Sequence, residues 1–253
     1  MAIRFMYDNY VDLSTTTITA SSQATGFPAS NVAHIWHTRH WRTTAISGQW
    51  IKFDLGSIKQ TQCVIIKYHN KLSTSGYIAI EANSSDSWAS PAFSENMGDY
   101  VEDEILIYFF PADKWYRWWR IYINDPDNTD GYLRMGRIYL GKYFGPERHF
   151  MQPHTKQRID PSVKRYSTGG QISISQRESY IQIPYDFRSI ALADVPNFKT
   201  MWNSVGQSMP YFVCEIPSSN PHLTTYYVIN SDPWNIEEMS AKGSLLVNCE
   251  TMR

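Results

Sequence analysis

Three histidines recur at every third position in His34-Ile-Trp-His-Thr-Arg-His40. Wound as a helix, the segment would present them on one side as nitrogen ligands for a transition metal. Arg39 and Arg42 oppose a cation, and no neighbouring Asp, Glu or Cys completes the shell, so it reads as a surface loop of hydrogen-bonding histidines. Asp125-Pro-Asp-Asn-Thr-Asp-Gly131 groups oxygen ligands ahead of a glycine, as a calcium loop does. Thr129 sits where the fifth-position ligand belongs and a strand-like run follows, so a polar turn is expected, with Asp125, Asp127 and Asp130 as subsidiary metal candidates and no metal required. Glu102, Asp103 and Glu104 supply the carboxylates that glycosidic hydrolysis needs, but adjacent side chains diverge, and a solvated acidic loop is the expectation.

Aromatic rings beside cations or imidazoles can stack on sugar faces and donate to hydroxyls. Trp36, His37, Arg39, His40 and Trp88 are the carbohydrate-binding candidates on that ground, and Trp41 beside Arg42 has the same composition. The chain has no Gly-rich phosphate loop, no Gly-x-Ser-x-Gly elbow and no His-Glu-x-x-His. The expectation is a protein that is not an enzyme and needs no cofactor.

The elements that must position these residues are strands. Of 253 residues, 15% are aromatic and 19% charged, a composition suited to pleated, half-buried surfaces. Lys plus Arg is 23 against 24 Asp plus Glu, so the long-range field of a nucleic-acid binder is missing. No apolar run reaches the roughly 18 residues of a membrane span, and Arg4, Asp8 and Asp12 interrupt the opening segment where a secretory signal would be apolar. Synthesis in a cytoplasm without membrane insertion is expected, and Cys63, Cys214 and Cys249, each inside an apolar run, read as reduced core thiols, with a Cys214–Cys249 bridge as the alternative.

Strand-like runs cover 50–55, 62–69, 77–82, 105–110, 115–124 and 133–140, and after a gap 171–175, 179–183, 211–216, 225–231 and 244–250. In the run 115–124, Trp119, Ile121 and Ile123 share a face with Arg117, while Tyr116, Trp118, Arg120 and Tyr122 take the other. The expected organisation is a domain over 1–145, a Pro-containing linker over 146–168 and a smaller β-rich domain over 169–253. Phe198, Met201, Trp202 and Val205 mark one helix near 195–205, with Asp194 as N-cap, Pro196 in the first turn and Gly206 at its end.

Phe27-Pro-Ala-Ser-Asn31, Trp41-Arg-Thr43 and Gly48-Gln-Trp-Ile-Lys-Phe-Asp-Leu-Gly56 together resemble discoidin-like domains, the coagulation-factor type-C branch of the galactose-binding jelly rolls. Tyr116-Arg-Trp-Trp-Arg-Ile-Tyr-Ile123 is similar to the late core strand of that family, and Leu133-Arg-Met-Gly-Arg-Ile-Tyr-Leu-Gly141 to its closing strand. The resemblance implies an all-β chain with an N-terminal jelly-roll β-sandwich. Terminal cysteines that often close extracellular members are missing, which argues against the secreted adhesive branch. Ile3-Arg-Phe-Met-Tyr-Asp-Asn9, the 21–31 stretch and the run 201–213 resemble bacteriophage virion proteins carrying such a domain. That resemblance implies a structural component of a phage tail tip or baseplate, made in the bacterial host cytoplasm, with other tail proteins and copies of itself as partners. A carbohydrate-binding module for host surface polysaccharide, and a capsid or neck decoration protein, are the alternatives.

Overall fold

A computed structural model describes residues 3–36, 38–70, 73–98, 105–238 and 242–252. The described residues are all-β apart from short 3₁₀ turns and one α-helix, and the chain divides into two units: Met6–Phe144 with Ile216–Thr225, and Met1–Phe5 with Gly145–Glu215 and Tyr226–Arg253.

The strands of the first half are β1 (Arg4–Met6), β2 (Thr17–Ala20), β3 (Trp41–Arg42), β4 (Gln49–Lys67), β5 (Tyr77–Asn83), β6 (Phe93–Asn96), β7 (Ile105–Asn124), β8 (Arg134–Met135) and β9 (Ile138–Gly141). Four of the expected strands are in fact two long ones. β4 and β7 pair antiparallel from Gln49↔Ile123 to Lys67↔Ile105, with register shifts between Asp54 and Lys59 and between Thr61 and Cys63. Bulges bend a strand and increase its twist, so one ladder can continue around a corner. Gly56, between the two halves of the ladder, lies within β4 at φ +74. Before the bulge β4 is flanked by β2 and after it by β9, so the bent sheet lays one half over the other as a β-sandwich.

Alternation fills the space between the layers. Ile51, Phe53 and Leu55 meet Val64, Ile66, Leu106, Phe110, Ile138 and Leu140, all buried, and Trp119 stacks on Phe110 at 5.5 Å between centroids. Full burial of each large apolar side chain is worth about 1.5–3 kcal/mol. The opposite face of β7 carries Trp118, Arg120 and Tyr122, with Arg120 salt-bridged to Glu81 at 2.5 Å.

The second unit contains β10 (Gln157–Ile159), β11 (Val163–Tyr166), β12 (Ile172–Ser175), β13 (Tyr180–Ile190), α1 (Val195–Val205), β14 (Tyr211–Cys214), β15 (Thr225–Asn230), β16 (Ile236–Glu238) and β17 (Gly243–Thr251). Its sheet runs β1-β14-β15-β17-β13-β10, with β16 also on β17, while β11 and β12 form a separate two-stranded ribbon. Phe198, Met201 and Val205 are buried on the inner side of α1. Asp194 makes no side-chain cap; its carboxylate instead accepts from the Glu147 backbone N–H at 2.8 Å. Gly206 takes φ +49 and closes the helix through its N–H to the Trp202 carbonyl. Cys63, Cys214 and Cys249 are buried thiols, and none forms a disulfide.

This arrangement departs from the expected boundaries in three places, the first being Ile216–Thr225, expected in the 169–253 domain but part of the first unit. Ile3 and Phe5 lie in the second unit, where Phe5 packs against Tyr185, Phe187, Phe198 and Tyr211. The 146–168 stretch is not a plain linker, because Phe150 is buried against Tyr185 and Phe187, and β10 pairs with β13. A single buried ring and a backbone ladder leave no apolar period to read in sequence.

Candidate functional site

The two-residue strands β3 and β8 form a ribbon in which Trp41 opposes Met135 and Arg42 opposes Arg134. Opposed residues share a face and successive residues alternate, so Trp41 and Met135 go inward while both arginines go outward. The inner pair is fully buried, and Trp41 Nε1 donates to the Ser22 carbonyl at 2.8 Å. Trp41 is therefore core rather than a stacking surface for sugar.

The arginines are held by rings. The Arg42 guanidinium lies 3.5 Å from the centroid of Tyr132 and 5.7 Å from that of Phe27, and Arg134 lies 4.2 Å from that of Tyr68. Phe27 stacks on His40 at 4.8 Å, and His40 meets Tyr68 edge-on at 5.7 Å. All six side chains are half-buried, so the group is a shaped surface rather than core. Stacked arginine–aromatic pairs fix the guanidinium plane without neutralising its charge.

Backbone contacts bring these residues together from four parts of the chain. The Ala24 N–H donates to the Arg42 carbonyl and the Arg42 N–H to the Phe27 carbonyl, which pins the Phe27 turn beside β3. Asn70, buried, accepts the Arg134 N–H on Oδ1 at 2.7 Å and donates through Nδ2 to the Tyr132 carbonyl and to Asp130. Tyr68 adopts φ +64, a conformation that costs a non-glycine residue roughly 1–2 kcal/mol and that directs its ring onto Arg134.

Electrostatically the group is one-sided. Neither Arg42 nor Arg134 takes part in a salt bridge among the described residues, and the Nε of each is buried without a hydrogen-bond partner. His40 Nδ1 lies 3.0 Å from the Thr38 carbonyl, which can only accept, so Nδ1 carries the proton and Nε2 is left as an acceptor in the neutral ring. Burial lowers the His40 pKa first, Arg134 and Arg42 lower it further, and the Thr38 contact works in the opposite direction.

Of the sequence-derived candidates, His40 belongs to this group. Trp36 is half exposed on the same loop, and Arg39, also exposed there, donates its N–H to the Trp36 carbonyl. His37, like Glu102, Asp103 and Glu104, lies outside the described residues. Trp88 is held elsewhere, on the outer face of the sheet, with Nε1 on Asp86 and Arg120 4.6 Å above its ring. Asp125, Asp127 and Asp130 do not converge: Asp125 takes hydrogen bonds from Ser73 and Asn128, Asp127 from Ser75, and Asp130 from Asn70. No cluster of three His, Cys, Asp or Glu able to hold a metal occurs among the described residues.

Sequence reasoning did not single out Phe27, Tyr68, Tyr132 or Arg134, and it paired Arg42 with the wrong ring. The signal available was an arginine between two residues that go to the core, as in Trp41-Arg42-Thr43 and Leu133-Arg134-Met135.

The second unit holds another aromatic cleft, of about 260 Å³, lined by Lys199, Trp202, Asn203, Trp234 and Ile236. It also buries Glu215, which accepts from Lys156 Nζ at 2.7 Å and from the Tyr185 hydroxyl at 3.1 Å.

No family model and no curated protein matches the chain. Among solved structures, the chain is similar to the lectin domain of lectinolysin complexed with Lewis B antigen, at TM-score 0.44 and 16% identity over 54% of this chain and 98% of that one. The family 32 CBM from C. perfringens NanJ in complex with galactose gives 0.42 and 14% over 56% and 99%. Chitosan-binding module 2 of the Paenibacillus sp. IK-5 chitosanase/glucanase, in complex with chitotriose, gives 0.42 and 18% over 52% and 99%.

Proposed function

We infer that the first unit is a carbohydrate-binding module without catalytic activity, engaging glycan through the loops around the β3–β8 ribbon. The observation that carries this reading is the stack of Phe27, His40, Tyr68, Arg134, Arg42 and Tyr132: half-buried rings for a sugar face, with guanidinium N–H donors and the Nε2 acceptor for its hydroxyls. Trp36 and Arg39, exposed on the adjoining loop, extend the same surface. The test is saturable binding on a glycan array and by calorimetry, with Tyr132→Ala and Tyr68→Ala as site variants. Saturable binding lost in both variants, without release of reducing ends, supports the reading; absence of binding to any glycan, or turnover, overturns it.

A second reading, assembly into a phage tail tip or baseplate, draws on the sequence resemblance and on the β11–β12 ribbon. Tyr166, Ile172 and Ile174 are 69%, 57% and 59% exposed there, and register puts all three on one face. An exposed apolar ribbon with open edges is suited to being covered in an assembly. In this reading the first unit faces the host polysaccharide and the protein is a virion component. Antibody labelling of intact particles in the electron microscope tests it: label at the tail tip supports it, and absence from particles overturns it.

A further inference from the structure

Arg42 and Arg134 stand directly opposite each other on a two-residue ribbon. Like charges in that relation destabilise a sheet pair, and a carboxylate placed between or beside them relieves the repulsion. Among the described residues that relief is absent: the salt bridges found there in the first unit are Lys52–Asp86, Arg117–Asp54, Arg120–Glu81 and Arg137–Asp12. Asp130, tied to this group through Asn70, spends Oδ2 on the Asn70 amide. The aromatic partners hold both guanidinium planes in place, so the donors are already oriented before any ligand arrives.

We propose that this surface selects acidic glycans, with Arg42 and Arg134 receiving the carboxylate of a uronic or sialic acid residue while Tyr68, Tyr132 and Phe27 contact its ring and neighbours. The inference rests on the glycan-binding reading above and adds the charge of the ligand to it. A neutral sugar satisfies guanidinium donors with hydroxyls but leaves two like charges uncompensated; a carboxylate offers two oxygens in the plane that a guanidinium fork matches and neutralises one charge. His40, held toward the neutral form, adds no third cation and supplies an acceptor for a hydroxyl beside the carboxylate.

The experiment compares matched probes by calorimetry on the full chain: trigalacturonic acid against neutral galactotriose, and 3′-sialyllactose against lactose. The expected result is an acid preference of about tenfold or more in at least one pair, weakening as salt is raised. Arg134→Gln and Arg42→Gln should each abolish the preference, while Arg188→Gln, exposed on β13 of the second unit, retains it. Thermal unfolding of each variant separates lost recognition from lost fold. Equal binding of acidic and neutral probes overturns this inference and leaves the glycan-binding reading standing. Preference unchanged in both stack variants overturns the assignment to this site. No binding to any probe, with none on the glycan array, overturns both.

Discussion

Arg137 grips Asp12 with both arms of its guanidinium: Nη1 donates to Oδ1 at 2.6 Å and Nη2 to Oδ2, while Nη1 also reaches the Ala33 carbonyl at 2.5 Å. Arg137 is 3% exposed while the Asp12 side chain keeps 29% exposure, so this is an ion pair buried on the arginine side, with a backbone acceptor attached. It joins the 3₁₀ turn Tyr10–Asp12 to the end of the 3₁₀ turn Ala29–Ala33, from which the chain runs into the His40 loop. The segment that leads into the His40 loop is thereby anchored by a charge pair.

Removing one partner of a fully buried pair leaves the other charge uncompensated, which costs roughly 3–5 kcal/mol, an upper bound here because Asp12 reaches solvent. Arg137→Met should fall below that range, about 1–3 kcal/mol in urea unfolding, because the Asp12 side chain keeps 29% exposure and partial hydration. Arg137→Lys should recover only part of that loss, since a single ammonium cannot reproduce the two-armed contact. A wild-type midpoint for Arg137→Met would show that the pair contributes nothing net.

On α1, Phe198 and Trp202 should separate sharply. Phe198 is fully buried against Phe5 and Phe187, so Phe198→Ala should cost about 3–5 kcal/mol. Trp202 carries the same helical period but is only half-buried, lining a cleft 5.3 Å from Trp234. Trp202→Ala should cost about 1–2 kcal/mol. Equal losses by calorimetric unfolding would mean that both rings are core.

His40 should titrate below the ordinary histidine value of 6.5, from burial and from Arg134 and Arg42. A lowered folded-state value means the unfolded chain takes the proton more readily. The associated stability is therefore complete above pH 6.5 and is lost as pH falls toward the folded value. His34 and His149 are shifted in the same direction, also chiefly by burial, and add to that acid limb. Arg134→Gln should raise the midpoint of the His40 imidazole in an NMR titration, and an unmoved midpoint would place the arginine charge too far away to matter.

All three cysteines should resist a thiol reagent in the native protein and react as three equivalents after denaturation. For Cys249, burial pushes the thiol pKa up to about 12, although the Tyr211 hydroxyl 3.1 Å away opposes the shift. Rapid native labelling of Cys249 would contradict its burial.

Alternation in 115–124 makes the buried face of β7 legible in sequence, since Trp119, Ile121 and Ile123 go to the core. The joining of the strand halves is not legible, because the connecting residues 56–61 of β4 are largely polar and include Gly56. The site is legible only in its His40 corner. Phe27, Tyr68 and Tyr132 reach it from separate loops through a ribbon of two residues per strand, too short to leave a period, and through a left-handed tyrosine that no propensity announces. Charge balance computed over the whole chain also hides the cluster, since the unpaired arginines at 42 and 134 are offset by acids elsewhere.

β1 lies at the edge of the second unit's sheet, beside β14, and therefore belongs to a structure whose other strands are translated last. At about 5–20 residues per second, roughly 10–40 s separate the synthesis of Phe5 from that of Cys214. Through that interval the segment with Ile3 and Phe5 has no ladder to join and leaves the ribosome as an apolar, unpaired strand. Whatever shelters those few residues during translation governs the yield of folded protein, and synthesis slowed between β9 and β14 should expose the nascent chain to chaperones and to aggregation far more than slowing within the first sandwich.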